Sequence, residues 1–367
     1  MMSTVLMRFR MCAATVLTAA CFVYGASLED FLFTVQRDDR ECGSGFLLKD
    51  TNGVWMISNC HVIRKGEKIK FFGMVDKSRK HVLPEKIEVA ANRDAVRFKT
   101  EESSGFALSG ASSFDETVFA FGNSDGLGVI TKSEGKVVGK GRGEIEVTCE
   151  IIPGNSGGPV INTNNEVLGI ATFGVTAPGV KIAAELSGTV SAAERERLVE
   201  QIKDRYGTRY TETRRFAIPL YDAEWQSVDF ELFKQESKSY EGIDDRYDRF
   251  NAAVTAVFRC RSIRSENEDI FQRSWVKNYN RDLGEYGYYD SDSGRYYLRS
   301  GRKEAFDRAY GRWLQNLSET AKCLSGEFRE QADTLTVLYY QNEAREFADK
   351  LELKSRDLME VAAKYGR

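Results

Sequence analysis

Histidine is scarce in this chain, which has only two histidines, His61 and His81, among its 367 residues. A zinc site built from several histidines is therefore excluded, and the sequence also has no CxxC pair to supply thiolate ligands. The net charge of -3 provides no general electrostatic field for nucleic acid or for an anionic membrane. We expect a protein that uses no metal or other cofactor and binds no nucleic acid.

Long apolar runs are missing after residue 26, so no later segment is predicted to cross a membrane. The first segment is typical of an export signal, because Arg8 and Arg10 precede an apolar run at 11–24 and small residues follow at 25–27. Cleavage near Ala26 would leave a periplasmic or secreted protein with no stable membrane insertion. The alternative is an uncleaved signal that anchors the chain to the membrane.

Proline is absent beyond Pro219, where the composition changes. From about 30 to 220, short β-rich segments alternate with Gly, Asn, Asp and Lys turns, a pattern typical of a sandwich or barrel. An insertion at 191–206 has helical spacing. Farther on, 3.6-residue periodicity predicts helices, with a tyrosine-rich loop or hairpin at 286–301. We therefore predict a signal peptide at 1–26, a β-rich domain at 27–222 and a helical domain at 223–367.

The sequence leaves cysteine pairing open. Loss of the signal peptide leaves an odd number of cysteines, so at least one is unpaired within the chain. Cys42 and Cys60 lie on neighbouring predicted strands, and Cys260 and Cys323 lie in two predicted helices. We predict these two disulfides in an exported protein, which leaves Cys149 free. The alternative is that all of them are reduced core thiols.

The segment PGNSGGPVIN at 153–162 places Ser156 on a glycine-rich turn before an apolar strand. This turn has a purely structural interpretation, since glycine supplies positive φ and asparagine tolerates it. A serine acts as a nucleophile only when a base accepts its proton and a third group holds that base. His61 in ISNCHVI, at a predicted strand end, and Asp94 in NRDAV, just before another strand, supply these two groups.

Five segments, GSGFLL, ISNCHVI, NRDAV, PGNSGGPVIN and VLGIATFGV, together resemble the trypsin-like (chymotrypsin-fold) serine proteases, and among them the bacterial HtrA-type branch. The resemblance covers about residues 30–220. It implies two six-stranded antiparallel β-barrels with the active site in the cleft between them. HtrA proteins carry PDZ domains after the protease, and the carboxylate-binding loop that those domains need is absent here. The expected fold is a mainly β double barrel followed by an α-helical C-terminal domain.

The resemblance also implies the chemistry of a serine endopeptidase with an acyl-enzyme intermediate. His61 would accept the proton of Ser156, and Asp94 would hold the imidazole tautomer. The amides of Gly154 and Ser156 would form the oxyanion hole. Asn155 stands where proteases activated by propeptide cleavage have an aspartate, so we do not expect activation by a salt bridge to a new N-terminus.

The resemblance assigns six residues to substrate binding: Glu150, Thr172, Phe173, Gly174, Phe216 and Ala217. The segment 172–174 matches the strand that pairs with the substrate backbone, and 216–217 matches the opposite wall of the pocket. Glu150, six residues before Ser156, falls at the pocket floor and would favour a basic side chain before the scissile bond. The alternative is a solvent-facing Glu150 and a preference for a small or medium apolar residue.

Two functions from different classes fit these observations. The first is an exported serine endopeptidase that acts on polypeptides. The alternative is a protease-like peptide-binding or scaffold protein whose helical domain mediates interactions. An α/β-hydrolase esterase is excluded, because that fold has the order Ser, Asp, His and a GxSxG turn. The segment 223–367 has no recognisable catalytic residues, and it is open to a role as an oligomerisation stalk, a lid or a receptor for a protein partner docked near 191–206.

Overall fold

The structure of the chain is a computed structural model that describes residues 27–141, 143–178, 211–260, 286–290 and 295–365. The predicted signal peptide at 1–26 and the predicted helical insertion at 191–206 lie outside these residues.

The first barrel follows from strands with alternating buried and half-buried residues, as in β4, where Ile69 and Phe71 point inward. Its strands are β1 (Leu32–Arg37), β2 (Arg40–Asp50), β3 (Gly53–Ser58), β4 (Ile69–Gly73), β5 (Lys80–Val82), β6 (Lys86–Ala90) and β7 (Val96–Thr100). They pair in the antiparallel order β4-β1-β2-β3-β7-β6, and β5, which leads into β6, pairs with β4. The short helix α1 (Cys60–Ile63) follows β3.

The second barrel is a closed ring of six antiparallel strands. They are β9 (Thr117–Asn123), β10 (Ile130–Lys140), β11 (Ile145–Val147), β12 (Pro159–Asn162), β13 (Glu166–Pro178) and β14 (Thr211–Pro219). The order is β12-β9-β10-β11-β14-β13, and β12 pairs with β13 to close the ring. Between the barrels, β8 (Phe106–Leu108) runs parallel to both β2 and β13. The predicted double barrel is confirmed.

One strand beyond position 222 extends the first barrel. The strand β15 (Trp225–Asp229) pairs antiparallel with β6, and the sequence pattern did not predict it. The guanidinium of Arg97 lies 4.0 Å from the ring centre of Trp55 and 4.3 Å from that of Trp225, so a cation between two indoles fixes the added strand.

Helices complete the C-terminal part, as predicted. They are α2 (Phe230–Cys260), α3 (Lys303–Thr334) and α4 (Leu338–Ala362). The tyrosine-rich segment forms an antiparallel hairpin of β16 (Gly287–Asp290) and β17 (Arg295–Leu298). Leu335 adopts an extended conformation that separates α3 from α4. Among the described residues, no helix has the length and apolar character needed to cross a membrane.

The helices share their apolar core with the first barrel. A single buried cluster contains Val35, Phe71 and Cys60 of the barrel together with Phe233 and Tyr340 of the helices. The rings of Phe233 and Tyr340 lie 5.2 Å apart, and so do those of Tyr240 and Tyr340. A separate cluster, which includes Phe46, Phe121 and Ile170, fills the space between the two barrels.

The predicted disulfide between Cys42 and Cys60 is wrong, because both thiols are free. The thiol of Cys60 is buried and donates to the Ala95 carbonyl at 3.3 Å, whereas that of Cys42 lies near the carbonyls of Val35 and Val62. Cys323 is also free and lies 3.4 Å from a carboxylate oxygen of Glu327, so the predicted pair with Cys260 is not formed. Cys149 is free, as predicted.

A buried carboxylate fixes the corner between α3 and α4. Glu236 on α2 accepts hydrogen bonds from the amide of Thr336 at 2.8 Å and from that of Val337 at 2.8 Å. These amides precede α4 and have no partner within that helix. Glu236 is only 7% exposed, so water cannot replace its oxygens.

We predict that Glu236→Ala lowers the free energy of unfolding by about 2 kcal/mol, because two amides lose a charged acceptor in a buried setting. The measurement is urea denaturation of the whole chain followed by circular dichroism. Glu330→Ala, on an exposed face of α3, is the control and should change stability by less than about 0.5 kcal/mol. Equal stability of the two variants would contradict the role given to Glu236.

Candidate active site

His61 and Asp94 meet at the edge of the first barrel. His61 lies in the first turn of α1 rather than at the end of a strand, and Asp94 lies in the connection between β6 and β7, as predicted. The His61 Nδ1 atom forms a short hydrogen bond with Asp94 Oδ2, and the His61 amide donates to Oδ1 at 3.0 Å. Asn59 donates from Nδ2 to the Asp94 carbonyl at 2.6 Å. The carboxylate thus holds both the ring and the backbone of the histidine.

The charge of Asp94 is held in a largely buried position, with 17% of the side chain exposed. Burial alone would raise the pKa of Asp94, but the nearby His61 ring and the hydrogen bonds from His61 outweigh it and lower that pKa below its ordinary value. The carboxylate is therefore ionised near neutral pH.

A β-bulge in β13 connects the second barrel to this carboxylate. Ala171 pairs with Ala217 and Phe173 pairs with Phe216, so Thr172 is an extra residue without a partner in β14. A bulge turns a residue out of the regular ladder. Thr172 Oγ1 lies 3.4 Å from Asp94 Oδ2, and the Thr172 carbonyl accepts the Ser156 hydroxyl at 2.7 Å. The bulged residue Thr172 therefore contacts both Ser156, the predicted nucleophile, and Asp94, the carboxylate predicted to hold His61.

Ser156 lies on a tight turn that is tied to the first barrel. Its carbonyl accepts the amide of Ser44 at 2.8 Å. The Ser44 hydroxyl donates to the Gly154 carbonyl at 2.8 Å and accepts the amide of Asn123 at 2.8 Å. Ser44 is fully buried, so these hydrogen bonds between the two barrels are protected from water.

Two glycines of the turn have positive φ, +95° at Gly154 and +90° at Gly157. A Cβ atom at Gly154 would lie 2.0 Å from the Asn123 carbonyl oxygen, which no side chain can tolerate. The Asn155 amide turns away to the Ile152 carbonyl at 3.0 Å. Within the described part of the chain, the amides of Gly154 and Ser156 donate to no protein acceptor.

Asn155 is buried beside Ser156, the predicted nucleophile. Its Oδ1 atom accepts the Ser124 hydroxyl at 2.8 Å. The neutral amide of Asn155 needs no cationic partner, and the Ser124 hydroxyl supplies a hydrogen bond to its buried oxygen.

The predicted pocket walls are neighbours across the β13–β14 ladder. Phe173 pairs with Phe216 and Gly174 pairs with Arg215. Phe216 is half-buried, with the Arg214 guanidinium 5.4 Å from its ring centre, and Ala217 belongs to the core of the second barrel. Glu150 is exposed, and its amide donates to the Ser133 hydroxyl at 2.7 Å. The exposure of Glu150 favours the solvent-facing alternative.

Three contacts of the site were missed by sequence reasoning. The sequence assigned Thr172 to substrate binding alone, and it gave no role to Asn59 or Ser44. The signal that was available is position, because Asn59 is two residues before His61 and Ser44 lies in the GSGFLL segment. No group of three or more His, Cys, Asp or Glu side chains within the described ranges is arranged to hold a metal ion.

Residues 43–170 match the family model of the trypsin-like peptidase domain. No curated protein matches the chain.

Three solved structures resemble the chain weakly. The serine endoprotease from Yersinia pestis is 20% identical over 52% of this chain and 59% of its own, with a TM-score of 0.36. The MamO protease domain from Magnetospirillum magneticum is 16% identical over 52% of this chain and 93% of its own, with a TM-score of 0.35. The HtrA-type protease AlgW with a tripeptide is 18% identical over 39% of this chain and 51% of its own, with a TM-score of 0.32.

The chain thus spans only 59% of the length of the first of these structures. The matched segment 43–170 contains His61, Asp94 and Ser156, and Thr172 lies two residues beyond its end. Residues 43–170 of this chain are therefore similar to a trypsin-like peptidase domain.

Proposed function

We propose that the chain is an exported serine endopeptidase that hydrolyses polypeptides through a His61–Asp94–Ser156 triad and an acyl-enzyme. The observation that carries the proposal is the link through Thr172, whose hydroxyl contacts Asp94 and whose carbonyl accepts the Ser156 hydroxyl. If the Ser156 turn had only a structural role, it would not need to share one contact residue, Thr172, with the buried Asp94 carboxylate.

The reaction begins with rotation of the Ser156 hydroxyl from the Thr172 carbonyl towards His61. His61 Nε2 accepts the hydroxyl proton as Oγ attacks the substrate carbonyl, and His61 later donates that proton to the leaving amine. The ionised Asp94 keeps Nδ1 protonated and stabilises the imidazolium. A water molecule then hydrolyses the acyl-enzyme by the same route.

The amides of Gly154 and Ser156 are the proposed oxyanion hole. Neither amide donates to an acceptor of the described chain, so both remain available to an oxygen that develops negative charge. The positive φ of Gly154 and the hydrogen bond from the Ser44 hydroxyl to the Gly154 carbonyl hold the turn in one conformation before substrate binds.

For substrate specificity we propose a small or medium apolar residue before the scissile bond. Phe216, paired with Phe173, supports an apolar wall, and the exposed Glu150 offers no buried negative charge at the floor. The substrate backbone is proposed to pair with 172–174. The proposed location is the periplasm or the exterior after cleavage near Ala26, with membrane anchoring as the alternative.

We predict that a fluorophosphonate probe labels the mature chain at Ser156 and that Ser156→Ala abolishes labelling. Peptide turnover by Ser156→Ala should fall by roughly 10⁵-fold or more, because the nucleophile is lost while the fold is kept. Labelling is read by mass spectrometry, and turnover is measured with a quenched peptide library. Absence of labelling in the wild-type chain would favour the peptide-binding scaffold.

The two histidines of the chain give a matched control. His61→Gln should remove turnover, whereas His81→Gln should retain it, because His81 lies on β5 and pairs with Glu102 at 3.0 Å. Loss of turnover in a folded His81→Gln chain would show that His61 is not the base.

We also predict that Gly154→Ala reduces turnover by about 10²- to 10³-fold, the effect expected for a lost oxyanion donor. The added methyl would collide with the Asn123 carbonyl oxygen, so the turn must shift. Gly110→Ala is the control, because no heavy atom lies within 4 Å of the added methyl there. Steady-state kinetics measures both variants, and equal activity would contradict the assignment of the Gly154 amide.

A further inference from the structure

The segment that leads into Asp94 is held by residues outside the trypsin-like match. The Ala91 carbonyl accepts a hydrogen bond from Asn342 Nδ2 on α4 at 2.7 Å. The Ala91 amide donates to the Glu224 carbonyl at 2.8 Å. The Arg93 guanidinium, which is buried, reaches Asp222 Oδ1 at 2.7 Å. The position of Asp94 thus depends on residues that follow the second barrel.

The start of α4 is fixed independently of Asp94. The Gln226 side chain of β15 accepts the Leu338 amide at 2.8 Å and donates to the Thr336 carbonyl at 3.1 Å. Tyr339 and Tyr340 follow at once, and both are buried in the cluster that contains Cys60, the residue before His61. The first turns of α4 therefore lie against the two segments that carry His61 and Asp94.

We propose that α4 is a positioning element of the active site, in which Asn342 holds the segment before Asp94. The proposal rests on the proposed function. Asn342 does not contact the reacting atoms, and it acts through Asp94 by the placement of the backbone.

Asn342→Ala tests the placement. We expect kcat to fall by roughly tenfold with KM changed by less than about twofold, because substrate binding groups are untouched while the dyad is displaced. The downfield proton resonance of the His61 Nδ1–H···Asp94 bond should shift upfield or broaden. It is identified in a His81→Gln background, where His61 is the sole histidine. Asn316→Ala, exposed on α3, is the control and should change neither quantity. Thermal unfolding of each variant separates loss of fold from loss of placement.

The outcomes distinguish this inference from the proposed function. A wild-type chain with neither labelling nor turnover contradicts the endopeptidase, and the downfield resonance still tests the contact through Asn342. An active wild-type chain whose Asn342→Ala variant keeps the kcat and the resonance overturns the placement.

Discussion

The structure depends on one ionised carboxylate removed from most solvent, that of Asp94. Such a charge is costly unless fixed dipoles surround it. Here the compensation comes from both barrels: the ring and amide of His61 belong to the first, and the Thr172 hydroxyl belongs to the second. Rotation of one barrel against the other would separate the carboxylate from one of its donors. The ionised state of Asp94 therefore depends on the relative placement of the two barrels, because each barrel supplies part of the compensation for its charge.

Local patterns predicted a β-rich sandwich or barrel and the helical nature of the C-terminal part, and the resemblance to trypsin-like proteases implied the double barrel. Gly, Asn and Asp turns between apolar segments mark most strands, and the predicted hairpin at 286–301 is formed. The candidate residues His61, Asp94 and Ser156 were predicted because each stands in a short recognisable segment. The strand at Trp225–Asp229 was not predicted, because it is fixed by long-range pairing with β6 and its local sequence carries no signal of that pairing. The disulfide prediction failed because neighbouring strands can direct two thiols to different carbonyls.

The dual role of Thr172 shows a limit of a different kind. A bulge is a mismatch between two strands, and it becomes visible only when the register of both is known. The residue type is compatible with ordinary pairing, so its sequence context predicts a regular strand. The same holds for Asn342, which lies 251 positions from the carbonyl that it contacts. Such contacts are properties of the assembled chain and cannot be obtained from a window of sequence.

The shared core has a consequence for the order in which the chain acquires structure during synthesis. The cluster that contains Phe33 of β1 also contains Leu358 and Ala362 near the end of α4. A ribosome that has released both barrels has therefore not yet released the groups that cover the outer apolar face of the first one. Contacts of such large sequence separation form slowly, because the entropic cost of closing a long loop precedes the favourable free energy of the contacts. Until α4 emerges, that face remains a surface for chaperones to bind.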